Sequence, residues 1–244
     1  MPPYRELEQP AGRLYAVGDL HGCAAELETL LQHLISKEKL KATDLVVFIG
    51  DYIDRGPDSK VVVDRLVSLK SDFPNTSFLK GNHEDMLASF LGFGGQMGDV
   101  YLANGGNETL QSYALPKYAP ASAFLESIPE NHKEFYNALE RYLVVGNFVF
   151  VHAGLDPLRA LQHQVDDDLF WIRDEFINNI HYFDKTVIFG HTPYQDVVFH
   201  VPYKIGIDTG VVFGNKLSCI ELTEGRILQV NAGSSNVITS NFPK

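Results

Sequence analysis

The chain has 244 residues and a formal net charge of −11. It is long enough to bury a full core within one large α/β domain, and too negative to attract nucleic acid phosphates, which call for clustered lysine and arginine. No apolar stretch is long enough to span a bilayer, and the start lacks a basic region followed by an apolar one, so neither membrane nor signal peptide is expected.

The first apolar run, Leu14-Tyr15-Ala16-Val17, ends on Gly18, Asp19, Leu20, His21, Gly22. Cys23 follows; with Cys219 it makes up the cysteine content. There is no Cys-x-x-Cys, so a reducing, cytoplasmic compartment is expected, without a disulfide framework or thiolate zinc site. A helix is predicted over 24–38, with Leu27, Leu30, Leu31, Leu34 and Ile35 on one face. The run Leu45-Val46-Val47-Phe48-Ile49 ends on Gly50 and Asp51, and a second helix is predicted over 59–69. Ser77-Phe78-Leu79-Lys80 runs into Gly81, Asn82 and His83, which open a third helix over 83–90. This alternation predicts βαβ units.

The glycine-dense stretch 92–106 reads as a loop or lid, and Asn104 to Leu110 as a turn entering a helix. Residues 121–128 and 133–139 read as helical or mixed. From Tyr142 the chain turns strand-rich. Tyr142-Leu143-Val144-Val145 and Phe148 to Val151 flank a Gly146-Asn147 hairpin turn, and the second run ends on His152. A helical interlude is expected over 155–176, its Asp166-Asp167-Asp168 run favouring a helix start. Strands resume at Val187, whose run ends on Gly190 and His191, and at Val197, Ile205, Leu217 and Ile227. The tail beyond Val230 is polar and expected to be partly ordered. These halves predict two packed sheets flanked by helices, as one domain over 1–244 with a loop or lid insertion around 92–131.

Five short apolar runs therefore each deliver Asp, Asn or His at the carboxyl end, where α/β folds bind ligands. Packing alone does not ask for that. Imidazole with carboxylate suits Mn, Fe, Zn, Co or Ni. The inventory fills two sites sharing Asp51: Asp19 and His21 on one, Asn82, His152 and His191 on the other. Two such ions clamp an in-line displacement, and a water held between them loses a proton near neutral pH and attacks. The acidic surface does not forbid phosphate chemistry, because bound cations are the dominant local charges in such a site. His83, next to Asn82, is placed to protonate a leaving oxygen, with Asp54 behind it to orient it and keep it charged. Arg55 and Arg173 are candidate phosphate clamps. His33, His132, His163, His181 and His200 lack strand-end context and read as structural, and Cys23 as a small buried hydrophobe. Tyr113 is a candidate contact at the border of the cleft.

GDLHG, GDYIDRG and GNHE, in that order, resemble the motifs of the phosphoprotein phosphatase branch of the calcineurin-like metallophosphoesterases. VHAG, FGHTP and IDTGVVFGNKLSCIEL are similar to its small bacterial-type members. The resemblance runs from Leu14 to about Leu222 and is weakest between Gly92 and Asn131. It implies a four-layer α/β/β/α sandwich with two mixed sheets, and phosphomonoester hydrolysis at a dinuclear centre. It implies metal-ligand roles for Asp19, His21, Asp51, Asn82, His152 and His191, with Asn82 also near the substrate phosphate. His83 and Asp54 match the acid and its partner, and Arg55 and Arg173 the phosphate clamps, Arg173 by its FWIR context alone. Two divalent transition-metal ions are expected, manganese first, with iron or zinc as alternatives.

The leading expectation is a serine/threonine or dual-specificity protein phosphatase. It would act on phosphorylated protein or peptide, and on small aryl phosphates in vitro. The alternative is a dinucleoside polyphosphate hydrolase with the same core; the intact Asp54-Arg55 pair with GNHE separates the two in favour of the first. A catalytically silent scaffold is disfavoured because every ligand and the proposed acid are present, and a nuclease because no basic stripe exists.

Overall fold

The computed structural model describes residues 4–243. In chain order its elements begin with β1 (Arg5–Leu7), β2 (Leu14–Val17), α1 (Ala24–Ser36), β3 (Leu45–Phe48), α2 (Ser59–Asp72), β4 (Thr76–Phe78) and α3 (Asn82–Phe90). Next come α4 (Gly106–Ser112), α5 (Ala121–Ser127), α6 (Glu130–Asn137), β5 (Tyr142–Val145), β6 (Phe148–Val151), α7 (Asp166–Trp171) and α8 (Asp174–Ile177). The chain finishes with β7 (Thr186–Phe189), β8 (Val198–His200), β9 (Lys204–Gly206), β10 (Lys216–Glu221), β11 (Arg226–Asn231) and β12 (Val237–Asn241).

Two six-stranded sheets result, ordered β12-β11-β10-β2-β3-β4 and β1-β5-β6-β7-β9-β8. Both are mixed. β2, β3 and β4 run parallel, as do β6, β7 and β9, while β10 and β5 join them antiparallel. Alternation along each strand decides the layers. Leu14, Ala16, Leu45 and Val47 meet Leu143, Val145, Phe150 and Ile188 between the sheets. Tyr15, Val17, Val46 and Phe48 face outward onto α1 and α2, and Tyr142, Val144, Val149 and Val151 onto Leu169, Phe170 and Phe176. The four-layer α/β/β/α sandwich follows from strands apolar on both faces, each of which needs a cover.

Of the α1 face, Leu27, Leu30, Leu31 and Leu34 are fully buried, each such burial being worth about 1.5–3 kcal/mol. Ile35 lies at the edge and stays exposed. The expected helical interlude over 155–176 is broken into short pieces, a 3-10 turn at Leu161–His163, then α7 and α8, joined by irregular chain. Buried Gln164 explains it: its amide bonds the Asp156 N–H (2.8 Å), the Asp156 carbonyl (2.9 Å) and the Arg159 carbonyl (3.0 Å), replacing helix bonds. The tail is more regular than its polarity implied, since β12 pairs along its length with β11. Its side chains are mostly exposed, so no apolar periodicity marked it.

Candidate metal centre and active site

The two parallel sets of strands point their carboxyl ends the same way, and everything with chemistry collects there. Asp19 and His21 follow β2, Asp51 follows β3, and Asn82 and His83 open α3 just after β4. His152 follows β6 and His191 follows β7. The turns are tight enough that His21, Asp51, Asp54, Arg55 and His191 all adopt left-handed φ, between 44° and 72°. Side chains avoid that region unless surrounding structure over-determines it, and such residues cluster at functional sites. Gly81 shows how closely the segments approach: a Cβ there would lie 2.1 Å from Asp51 Oδ1 and 2.5 Å from Asp51 N.

Two donor clusters share Asp51. His21, Asp51 and His83 form one, and Asp51, His152 and His191 the other; within each, one ligand atom per residue lies within 4.8 Å of the rest. Asp51 Oδ2 is 3.3 Å from His21 Nε2, and Oδ1 is 3.5 Å from His152 Nε2. Asn82 Oδ1 joins the second cluster, 3.0 Å from His152 Nε2 and 2.9 Å from His191 Nδ1. Asp19 stands beside both, its Oδ2 accepting the His191 N–H at 3.1 Å. All six expected ligands are therefore brought together, with His83 edge-on to His21 at 4.7 Å between ring centres.

The tautomers are set from behind. His21 Nδ1 lies 2.9 Å from the Ile53 carbonyl and His152 Nδ1 3.0 Å from the Ile49 carbonyl. Only N–H satisfies a carbonyl, so each Nε2 offers a lone pair, the usual support for a metal-binding imidazole. Burial outweighs the pull of Asp51 and takes His21 down to about 3. Burial lowers His152 too, and burial with the nearby charges of His152 and Arg173 lowers His191 strongly. Neutral imidazole is the ligand form. Asp51 is held ionised against its burial, with the protonated His83 among the imidazoles around it. Asp19 is raised by burial and by the charges of Asp208 and Asp51. Carboxylates crowded this way repel unless a cation sits among them. Asp19 Oδ1 and His191 Nε2, both on expected ligands, are buried without a hydrogen-bond partner among the described residues. The donor set thus fits divalent ions.

His83 Nδ1 lies 2.7 Å from Asp54 Oδ2. Burial alone would lower this imidazole, but Asp51 and Asp54 together raise its pKa above the ordinary value. Arg55 is exposed, with Nη1 2.6 Å from His21 Nε2 and its guanidinium over the Phe213 ring at 5.5 Å. Arg173 is exposed at the start of α8; it forms no ion pair with Asp174 or Glu175, and its charge acts on His191 and His152. Arg55 therefore borders the cleft, and Arg173 lies near enough for its charge to reach the two histidines.

One expectation changes, and two residues beside the centre had not been singled out. Tyr113 does not reach the cleft: it is buried, its hydroxyl 2.7 Å from His132 Nδ1. Asp208 ends a sixth strand run, Lys204–Gly206 then Ile207, but its IDTG context carries no imidazole to mark it. Asp208 is buried near enough to Asp19 for its charge to act there, and its own carboxyl is raised to about 6 by burial and by Asp51. Glu84 is equally hidden in GNHE. It takes the N–H groups of Asp51 (2.9 Å), Tyr52 (2.8 Å) and Gly81 (3.0 Å), fixing the turn that presents Asp51. Of the histidines read as structural, His132 bonds Asp64 at 2.8 Å and His181 the Tyr203 carbonyl at 2.8 Å, both away from the centre.

A family model described as calcineurin-like phosphoesterase matches residues 12–228. The asymmetrical bis(5'-nucleosyl)-tetraphosphatase PrpE of Oceanobacillus iheyensis is 28% identical over 88% of this chain and 90% of its own length. A solved structure provisionally named a diadenosine tetraphosphatase is 25% identical, with TM-score 0.68 over 94% of this chain and 98% of its own. A cold-active protein tyrosine phosphatase superposes at TM-score 0.63 over 98% of this chain and 80% of its own, at 18% identity, a likeness of fold.

Proposed function

The chain belongs to the calcineurin-like phosphoesterase family, and from that membership we propose that it hydrolyses bis(5'-nucleosyl) tetraphosphates asymmetrically, using two divalent ions. The observation that carries the substrate is the near end-to-end match to an enzyme of that name, at 90% of its length. The geometry supports the reaction class: two donor clusters share one carboxylate, with two arginines near them. Manganese is the first choice of metal, iron or zinc the alternatives.

Divalent ions bound there supply Lewis acidity and a lowered pKa for water. Asp19, His21, Asp51, Asn82, His152 and His191 would hold them. Arg55 and Arg173 grip non-bridging phosphate oxygens, a task suited to planar guanidinium forks. His83 offers its Nε2 proton to the oxygen that leaves as its bond to phosphorus breaks, and Asp54 holds Nδ1–H so that Nε2 faces away from it.

That last pair favours a second reading. A nucleotide phosphate leaves without help, whereas the alkoxide of phosphoserine needs a proton. An intact His83–Asp54 pair is therefore what a protein phosphatase requires. Turnover of a dinucleoside tetraphosphate, a phosphoserine peptide and an aryl phosphate is measured side by side with added manganese. The first reading expects the tetraphosphate to have the highest kcat/KM and to yield nucleoside mono- and triphosphate. A peptide preferred over the tetraphosphate would overturn it in favour of the second.

A further inference from the structure

Asp54 and Arg55 sit consecutively in left-handed backbone, φ 72° and 68°. Neither is glycine, so something must hold the turn. The grip comes from a stretch outside both sheets, the 3-10 turn Tyr101–Asn104 and α4. The Gly105 carbonyl accepts the Arg55 N–H at 3.2 Å. The Asp54 N–H donates to Thr109 Oγ1 at 2.9 Å, and Thr109 Oγ1 donates back to Asp54 Oδ1 at 2.6 Å. The Tyr101 hydroxyl donates to the same Oδ1 at 3.0 Å. Asp54, Tyr101 and Thr109 are all fully buried.

The two carboxylate oxygens thus have separate duties. Oδ1 takes two hydroxyl donors, while Oδ2 takes the His83 Nδ1 at 2.7 Å. A carboxylate torsion is soft and broad by itself, and donors on one oxygen fix where the other points. The Tyr101 ring cannot drift: it packs against Phe90 at 5.1 Å between centres, and a Cβ on Gly106 would lie 2.6 Å from it. Burial and the charge of Asp54 hold Tyr101 well above the usual phenol range, so its proton remains to be donated.

We propose that Tyr101 and Thr109 are positioning residues for acid catalysis, locking the Asp54 carboxylate so that His83 keeps its proton-bearing Nε2 on the leaving oxygen. The proposal rests on His83 being the acid. Two hydroxyls serving only the fold would affect every substrate alike. Hydroxyls acting through Asp54 and His83 matter in proportion to how badly the leaving group needs a proton.

The test compares Tyr101→Phe, Thr109→Val and Thr109→Ser with His83→Asn and the double variant His83→Asn/Tyr101→Phe, all metal-loaded, on phenyl phosphate and 4-nitrophenyl phosphate. Tyr101→Phe and Thr109→Val should lower kcat on phenyl phosphate about tenfold and on the nitrophenyl ester about twofold or less, a part of the roughly 10²–10⁴-fold that a general acid contributes. KM should be unchanged, Thr109→Ser should restore the rate, and Tyr101→Phe should cost nothing further once His83 is gone. Equal losses on both esters, or an additive loss in the double variant, would overturn the proposal. Proton NMR of the zinc-loaded protein gives a readout independent of turnover. The downfield His83 Nδ1–H signal should shift or broaden in Tyr101→Phe and Thr109→Val and persist in Thr109→Ser. An unchanged signal in all three would also overturn it. If His83→Asn showed no leaving-group dependence, the acid reading would fall, and the NMR signal would still decide whether the hydroxyls fix Asp54.

Discussion

Asp51 carries the two donor clusters on two oxygens, Oδ2 toward His21 and Oδ1 toward His152. Replacing Asp51 with Asn keeps its volume but removes the charge that both clusters share. Elemental analysis should then find neither ion bound, with activity lost. Asn82→Ala reaches only the cluster of His152 and His191, so it should leave one ion in place. Finding two ions in Asp51→Asn would contradict a shared ligand. The arginines separate similarly. Removing a group that grips oxygens whose charge changes in the transition state lowers kcat as well as raising KM. Arg55→Lys should show both effects, because an ammonium cannot copy the planar fork. Arg173→Ala should weaken competitive inhibition by inorganic phosphate; unaltered kcat, KM and inhibition would return Arg173 to the helix surface.

Between elements, the clearest tie outside the cleft is Glu38, just past α1. Its carboxylate takes Arg226 of β11 at 3.0 and 2.8 Å, and Arg13 ahead of β2 at 3.1 Å. The hydrogen bond from Arg226 holds Glu38 below its usual pKa despite its partial burial. The folded state thus keeps the ionised form where the unfolded chain would already bind a proton. That contribution is present above the unfolded pKa and is lost as pH falls through the lower, folded one. Glu38→Gln should cost about 1.5–3 kcal/mol at neutral pH, the range for hydrogen bonds to charged groups. Thermal melts across pH should show the gap between variant and parent closing in acid. A gap that is constant with pH would mean the tie works by packing and not by charge.

At the scale of the whole molecule, Asp19, Asp51 and Asp208 are gathered at one end of two sheets in a chain already at −11. Cations at that end relieve the repulsion and bind the folded state only. Ligand at a hundredfold excess over Kd adds about 2.7 kcal/mol, which in a chain of this size corresponds to a shift in Tm of roughly 5–10 °C. Chelation should lower Tm by that order, and manganese should restore it with activity. A melt indifferent to chelator would argue that the donor clusters hold no metal in the folded protein.

What the chain spells out locally is considerable. Apolar runs ending on Asp19, Asp51, His152 and His191, and helices with leucines at 3.6-residue spacing, are carried by neighbouring residues, so the strands and the side chains gathered at their carboxyl ends were legible in the sequence. Other parts depend on contacts that no periodicity marks. Gln164 stops a helix by bonding its own loop, and β12 exists because β11 has an edge to offer. Asp208 acquires its meaning only when β9 lies beside β7 and brings it to Asp19. Tyr101 and Thr109 lie 47 and 55 residues from Asp54, in the stretch the motifs left blank, and no periodicity marks a residue whose task is one hydrogen bond across the fold. Sequence alone determined which residues end the strands, because propensity and periodicity act over a few residues. Tertiary structure decided which oxygen of Asp54 faces His83, because a carboxylate's orientation is set by whatever donors the rest of the chain brings to it.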